Sequence, residues 1–110
     1  MNFEVLVTHD AHFARVRVSG PAPVGRVLSL MDVLKVDSSG WAERAVLLDL
    51  REVLPPLTDE EQAEVAASAA RALARMERIA ILSVPGATRE SHGVRAFADE
   101  AAARDWLQSR

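Results

Sequence analysis

The sequence predicts a single α/β domain spanning residues 1–110, with a mixed sheet of about five strands opened by an antiparallel hairpin and three to four helices packed on it. Three observations lead to this fold class. Residues 13–18 alternate apolar and charged side chains with period two, as a half-buried strand does. Residues 45–50 and 79–84 are continuous apolar runs, typical of strands covered on both faces. Amphipathic helical patterns flank the first of these runs.

The amino-terminal third predicts a hairpin followed by a helix. Residues 3–7 are rich in β-formers, residues 8–12 are compatible with a turn, and residues 13–18 form the second strand. The Gly and Pro residues of segment 19–23 predict a break. Residues 24–35 then predict an amphipathic helix, because apolar side chains recur at helical spacing at Val24, Val27, Leu28, Met31 and Leu34.

The middle of the chain predicts a buried strand, a loop and a capped helix. The strand covers residues 45–50 and ends in charged residues, and residues 53–57 form an apolar, proline-containing loop. Thr58 and Glu61 match the S/T-x-x-E capping box, in which each side chain satisfies the other residue's backbone amide. We expect the helix to run from Asp59 to about Met76, with an inner stripe of Ala66, Ala69, Leu73 and Met76.

The carboxyl-terminal third predicts two more strands and a final helix. A second buried strand covers residues 79–84 and stops at Pro85–Gly86, and a brief strand covers residues 93–97. Asp99 can cap a helix that runs to about Gln108, with Ala102, Ala103, Trp106 and Leu107 facing inward. Strand–helix–strand units require parallel pairing, so the sheet is expected to be mixed.

Composition and charge exclude several classes of function. The net charge is −3 and no basic stripe is present, so we expect no nucleic-acid partner. There is no Cys, which excludes disulfides and thiolate chemistry. No apolar run approaches the ~20 residues of a membrane helix, and the segment Met1–Glu4 does not begin a signal peptide. We therefore expect a cytoplasmic location, in a bacterium.

The histidines are candidates for metal binding and for nucleophilic catalysis. His9 and His12 could approach a metal ion from one side of a tight turn, with Asp10 or the distant His92 as a third ligand, but metal sites need three or four convergent ligands. The simpler interpretation is that these histidines lie in a hairpin turn and are solvated. Ser91 beside His92 lacks the oriented base and oxyanion hole of a nucleophilic site. We predict no metal site and no catalytic site.

One further segment and one buried acid are candidates for ligand sites. The stretch Gly86–Arg89 could hold an anion through backbone amides, but it lacks the Gly-Lys-Ser/Thr ending of a P-loop. Asp49 ends a buried strand, where α/β sheets often bind ligands. An Asp at such a place can be catalytic, but more often it pairs with loop amides or a neighbouring base such as Arg51. We therefore predict that the protein is not an enzyme and binds no cofactor.

Apolar residues in loops are the candidates for binding a protein partner. Leu54, Pro55, Pro56 and Leu57, with Thr58 after them, form a stiff apolar segment. The alternative is that the leucines tuck beneath the following helix. Trp41 likewise anchors either an interface or the core. The alanine-rich second helix would suit a homodimer, although helix propensity explains the alanines equally well.

The chain resembles the SpoIIAA-like family of STAS domains, which are related to the CRAL-TRIO fold. The resemblance rests on the second strand ending in Ser19–Gly20, the Leu47–Arg51 strand (LLDLR), the entry into the fourth strand at Glu77–Ala80, and the final strand and helix over 94–107. The segment between the last two strands is short, so we expect the family's helix there to be shortened or lost.

The resemblance implies a non-catalytic regulatory or protein-interaction module, with a carrier or sensor of a lipid or small apolar ligand as the alternative. Family members that antagonise anti-sigma factors carry a phosphorylatable Ser in a D-S-S-G segment after the third strand. In this chain Asp37–Gly40 spells that segment but precedes the third strand, so we expect only a polar loop there. Thr58 lies at the better place, but the acids after it would repel a phosphate, so we expect a structural cap.

Overall fold

One five-stranded sheet organises the molecule, and its strands lie side by side in chain order. The computed structural model describes residues 3–83 and 93–109. The elements are β1 (Glu4–His9), β2 (Ala14–Pro21), α1 (Val24–Asp37), a short 3-10 helix (Ser38–Gly40), β3 (Ala45–Leu54), α2 (Asp59–Ala72), β4 (Arg78–Leu82), β5 (Val94–Phe97) and α3 (Glu100–Gln108).

The sheet is mixed, as predicted. β1 and β2 pair in antiparallel fashion, whereas every other neighbouring pair is parallel. The two apolar runs lie beside each other, because Val46 pairs with Ile79 and Leu48 with Ile81. The predicted hairpin, the parallel inner strands and the capped helix are therefore confirmed.

Helices cover both faces of the sheet. α1 and α2 lie on one face and bury alternate strand residues such as Val16, Leu48 and Ile81 in the larger core. α3 lies on the opposite face, where Ala103 and Leu107 pack in a smaller core. The smaller core also contains Phe13, which directly precedes β2, and the sheet residues Ala45, Leu47, Ala80, Leu82 and Phe97. The period-two alternation of β2 therefore separates an apolar face from a charged one.

β3 and β2 are longer than the sequence predicts. β3 continues through the expected loop to Leu54, and β2 continues through the expected break to Pro21, because the two ends pair with each other. A β-bulge makes this extension possible. Arg17 pairs with Asp49 and Ser19 pairs with Glu52, so one extra residue is inserted in β3 between the two pairs. This insertion places the side chain of Val53 on the buried face.

The helices differ from the prediction in length and in face. α2 ends at Ala72 rather than at Met76, because Leu73 leaves the helical conformation while staying buried. Of the predicted inner stripe, Ala69 and Leu73 are buried and Ala66 and Met76 are half-buried against the larger core, while Gln62 and Val65 of α2 are buried without having been predicted. In α3, Ala102 is exposed although it was expected to face inward, and Trp106 is half-buried. Three α-helices and one 3-10 turn match the expected number of helices among the described residues.

Part of the prediction falls on residues outside the described ranges. These are Val84 at the end of the fourth strand, the stop at Pro85–Gly86 and most of the segment in which a shortened helix was expected.

Candidate functional site

The predicted apolar segment divides into an exposed part and a buried part. Leu54 ends β3 with 57% of its surface exposed, and the two prolines after it are exposed as well. A hydrogen bond from the Ala22 amide to the Leu54 carbonyl (3.1 Å) holds the backbone there. Leu57, in contrast, is 8% exposed and packs in the larger core beneath α2. The alternative that a leucine tucks under the helix therefore holds for Leu57 and not for Leu54.

Trp41 lies far from this segment. It precedes β3, whereas Leu54 ends that strand, and nine steps of about 3.3 Å put roughly 30 Å between the two ends of β3. The Trp41 ring is half-buried against the larger core and meets the His9 ring edge-on, at a centroid distance of 5.5 Å. The six residues named from the sequence as partner-binding candidates thus do not form one continuous surface.

Four charged side chains meet on the face of the sheet that α3 covers; we call Arg15, Asp49, Arg51 and Glu100 the charged cluster. Asp49 is almost fully buried. Its Oδ1 accepts from the Arg51 amide and Nε (3.1 Å each), and its Oδ2 accepts from Arg51 (3.0 Å) and Arg15 (3.1 Å). The Glu100 carboxylate accepts from both arginines at 2.9–3.0 Å.

The fold explains why these four groups converge. Arg15 lies on the charged face of β2, and Arg17 pairs in register with Asp49 of β3. Arg51 shares this face with Asp49 by ordinary alternation, and the bulge brings Glu52 to it as well, where Glu52 reaches Arg17 (2.7 Å). Glu100 lies in the first turn of α3, where the helix dipole favours a carboxylate. Arg104, one turn later, adds a longer contact to Glu100.

The charges in the cluster stabilise one another. Burial alone would raise the pKa of Asp49, but the hydrogen bonds and charges of Arg51 and Arg15 outweigh it and hold this pKa below its ordinary value. The hydrogen bond from Arg15 likewise lowers the pKa of Glu100. Both arginines keep their protons correspondingly more tightly, because hydrogen bonds to the carboxylates raise the pKa of each. All four groups are therefore charged at neutral pH.

The charged cluster ties three elements together, because it joins β2, β3 and α3 through groups that satisfy each other's hydrogen bonds. The predicted pairing of Asp49 with Arg51 is present. Arg15 and Glu100 were not identified from the sequence as members of this cluster. Two signals were available: the alternation in β2 places Arg15 on a polar face, and Asp99 predicts a helix that begins at Glu100. Among residues 3–83 and 93–109, no buried side-chain nitrogen or oxygen lacks a hydrogen-bond partner.

The histidines named as metal candidates point to different neighbours. His9 Nδ1 lies 2.9 Å from Glu43 Oε1, and this hydrogen bond lowers the pKa of Glu43. His12 is exposed in the hairpin turn and lines a separate cleft. Within the described ranges no three potential ligands converge as a metal site would require. His92, Ser91 and the Gly86–Arg89 segment lie outside those ranges.

Comparison with known proteins finds likeness among solved structures. No family model matches the sequence, and a search of curated proteins finds no match. Among solved structures, the chain is similar to an uncharacterised protein of the DUF3478 family from Shewanella loihica PV-4, which has a SpoIIAA-like fold. The TM-score is 0.51 at 14% identity, and the likeness covers 96% of this chain and 93% of that chain.

The chain has a SpoIIAA-like fold. The structural likeness supports the resemblance inferred from the sequence at the level of fold, whereas the relation to CRAL-TRIO proteins stays a prediction. The helices of the described residues all lack the combination of length and apolar character that a membrane span requires.

Within this SpoIIAA-like fold, the D-S-S-G segment closes α1. Asp37 is the last helical residue, and the next three form the 3-10 turn before β3. The Ser38 side chain is buried and its hydroxyl donates to the Lys35 carbonyl (3.4 Å), whereas Ser39 donates to the Val36 carbonyl (2.7 Å). Both hydroxyls thus complete the end of a helix, which agrees with the expected polar loop.

Thr58 lies at the start of α2, after the third strand of the SpoIIAA-like fold. Its hydroxyl oxygen accepts from the Glu61 amide (3.1 Å), and the Glu61 carboxylate accepts from the Thr58 amide (3.0 Å). The capping box predicted from the sequence is therefore complete. Asp59 and Glu60 fill the rest of the first turn with negative charge, as expected.

Proposed function

We propose that this protein is a non-catalytic, STAS-like regulatory module of the bacterial cytoplasm that binds a protein partner through Leu54 and the two prolines after it. The observation that carries the proposal is the exposure of Leu54, which stands at the rim of the sheet while its neighbours Val53 and Leu57 are buried. An apolar side chain held on a fixed backbone loses little conformational freedom on binding. Burying its exposed part would contribute on the order of 1–2 kcal/mol.

The polar groups of the molecule support a binding role over a catalytic one. The buried carboxylate of Asp49 has both oxygens occupied by arginine donors. A general base needs a free lone pair within reach of its substrate, and a nucleophile needs an adjacent base. The four side chains of the charged cluster form hydrogen bonds and ion pairs with one another, which favours a structural role for the cluster.

Thr58 completes the proposed binding surface, because it is exposed and lies two residues after the second proline, with the buried Leu57 between them. Its capping box fixes the start of α2 and therefore the direction in which the chain leaves the surface. Trp41 lies outside this surface. If it contacts a partner, it does so as a separate site with His9 beside it.

The test is affinity capture from cells that express the tagged chain, with three baits. These are the unaltered protein, Leu54→Glu, and Val36→Glu as a matched control on α1, where the side chain is 72% exposed. We expect a partner that is recovered by the first and third baits and lost with Leu54→Glu. The proposal fails if every captured protein is recovered equally by all three. Thermal unfolding of the variants checks that both remain folded.

The alternative, a carrier of a lipid or small apolar ligand, has less support. Among residues 3–83 and 93–109, the side chains between the sheet and the helices form two cores with little or no exposed surface. A surface cleft of about 360 Å³ is present near the hairpin turn, but it is lined mainly by polar and charged residues. The lining includes His12, Arg44, Glu77, Arg78, Leu107 and Ser109. Such a lining does not suit an apolar ligand.

A homodimer formed through the alanines of α2 also has less support. α1 of the same chain packs against α2, so the close approach that alanine permits is used within the chain. Ala69 is buried and Ala66 and Ala70 are half-buried in the monomer. These contacts explain much of the alanine content of α2 without a second copy.

A further inference from the structure

Among residues 3–83 and 93–109, no strand pairs with the outer side of β1, so a row of its backbone groups points away from the sheet. The Asp10 amide donates to the Phe13 carbonyl (2.9 Å), so these two residues form a hydrogen-bonded pair of the hairpin. Such pairs alternate along an antiparallel ladder. The even-numbered residues of β1 therefore bond to β2, and the N–H and C=O groups of Val5, Val7 and His9 point away from the sheet.

β1 lacks the features that usually protect an edge strand. Its six residues contain no proline, lysine or bulge. Val5 and Leu6 are 37% and 58% exposed, and they belong to the small set of large apolar side chains exposed among the described residues. The opposite edge is protected, because β5 has only four residues and Arg95 covers the Phe97 ring. An open, apolar edge favours pairing with another strand.

The sequence of β1 is complementary to itself. We propose that β1 pairs in antiparallel fashion with β1 of a second copy, about a two-fold axis through Leu6, to form one continuous ten-stranded sheet. A two-fold axis normal to the sheet keeps each face continuous, so even-numbered residues oppose even-numbered ones. Leu6 then faces Leu6 of the second copy on one face, and Val5 faces Val7 on the other. The exposed apolar side chains of the edge cover one another.

Backbone geometry agrees with this register. Val5 and Val7 carry the outward-pointing amides and carbonyls, so they form hydrogen-bonded pairs across the interface, and Leu6 forms the non-hydrogen-bonded pair between them. A shift of two residues would centre the axis on Val7 and place Glu4 opposite Asp10 of the second copy, and like charges directly opposite are destabilising. The opposite shift would centre it on Val5 and place Glu4 against Leu6.

The placement of charged residues is compatible with the same register. Glu4, the acidic residue of β1, would lie opposite the uncharged Thr8 of the second copy, so no like charges oppose each other directly. Behind β1, Arg15 is paired with Asp49 and Glu100 of its own copy, and Arg17 is paired with Glu52. The register therefore needs no ion pair between the copies.

Cysteine crosslinking tests the register, and the absence of native Cys makes any introduced thiol unique. We expect Leu6→Cys to form a disulfide dimer under mild oxidation, because directly opposed residues of a non-hydrogen-bonded pair lie about 4.5 Å apart, within the range a disulfide spans. Val36→Cys on α1 is the matched exposed control. If Leu6→Cys crosslinks no faster than this control, or if Val7→Cys crosslinks faster than Leu6→Cys, the proposed interface is overturned.

Sedimentation velocity of the unaltered protein provides an independent measurement. We expect the mass to rise from 12.0 kDa towards twice that value with concentration. Leu6→Lys and Leu6→Glu should each weaken dimerisation roughly tenfold or more, because like charges then meet at the axis, whereas a mixture of the two should restore it. A mass that stays at the monomer value at every concentration contradicts the proposal. Leu54→Glu leaves β1 unchanged, so failure of the partner surface and failure of this dimer are distinguishable.

Discussion

Asp49 shows what one buried carboxylate contributes to this fold. The groups that surround it come from different parts of the sequence. Arg51 is two residues from Asp49, and Arg15 is 34 residues from it. Glu100, which bonds to the same two arginines, is 85 residues from Arg15. The Asp49–Arg51 pair could be predicted because both lie on one strand. Arg15 and Glu100 could not be predicted as its partners, because their positions depend on the register between β2 and β3 and on where α3 packs on the sheet.

We expect Asp49→Ala to lower the free energy of unfolding by about 2–4 kcal/mol at pH 7, since two partly buried arginines lose their shared acceptor. The pKa of Asp49 in the folded protein lies below its ordinary value of 3.8. Its contribution is therefore complete above about pH 5 and is lost as the pH falls through the folded-state pKa. Urea unfolding of both proteins at a series of pH values should show the difference shrinking in acid.

Glu52→Ala is the matched control on the same strand. The Glu52–Arg17 pair is about half exposed, so its removal should cost at most about 1 kcal/mol. Equal losses for Asp49→Ala and Glu52→Ala would show that the charged cluster contributes no more than a surface pair.

At the scale of elements, a helix start that depends on neighbouring residues could be predicted, whereas the length of a strand that depends on its pairing partner could not. The capping box of α2 is written in four consecutive residues from Thr58 to Glu61, and it is present as predicted. The end of β3 was predicted too early, because Arg51 and Glu52 are charged and two prolines follow Leu54. What extends β3 is the bulge and its pairing with the end of β2, and neither is visible in the residues of β3 alone.

Thr58→Ala should destabilise the protein by about 1 kcal/mol, since the Glu61 amide loses its acceptor at the start of α2. Ser39→Ala is the control, because it also removes an exposed hydroxyl near a helix end, one that donates to the Val36 carbonyl in the last turn of α1. Thermal unfolding of the three proteins measures the effect. A Thr58→Ala variant as stable as the unaltered chain would show that the capping box adds no net stability.

For the whole molecule, hydrophobic patterning determined the layers correctly. Continuous apolar runs became β3 and β4, which are buried on both faces, and the alternating run became β2, whose two faces differ in polarity. The open edge at β1 could not be recognised from its residues, because a short β-prone run predicts a strand without saying where in the sheet it lies.

Stability should therefore be distributed unevenly across the sheet. In dilute solution we expect amides of β3 and β4 to exchange with solvent most slowly, because they lie at the centre of the sheet beneath helices on both faces. The outward-pointing amides of Val5, Val7 and His9 should exchange fastest among the strands, and raising the protein concentration should slow them. Hydrogen exchange followed by NMR measures each amide, and slow exchange at β1 in dilute solution would contradict this distribution.

Because the strands lie in the order in which they are translated, each strand leaving the ribosome can add to one that is already in place. The exception is α3, which follows all five strands in the sequence and covers residues as early as Phe13. Until α3 packs, the folding chain presents Phe13, Leu47 and Leu82 on an uncovered face, which is the kind of surface that chaperones bind. The time between formation of the sheet and packing of α3 should therefore be the time in which the folding protein is most prone to aggregate.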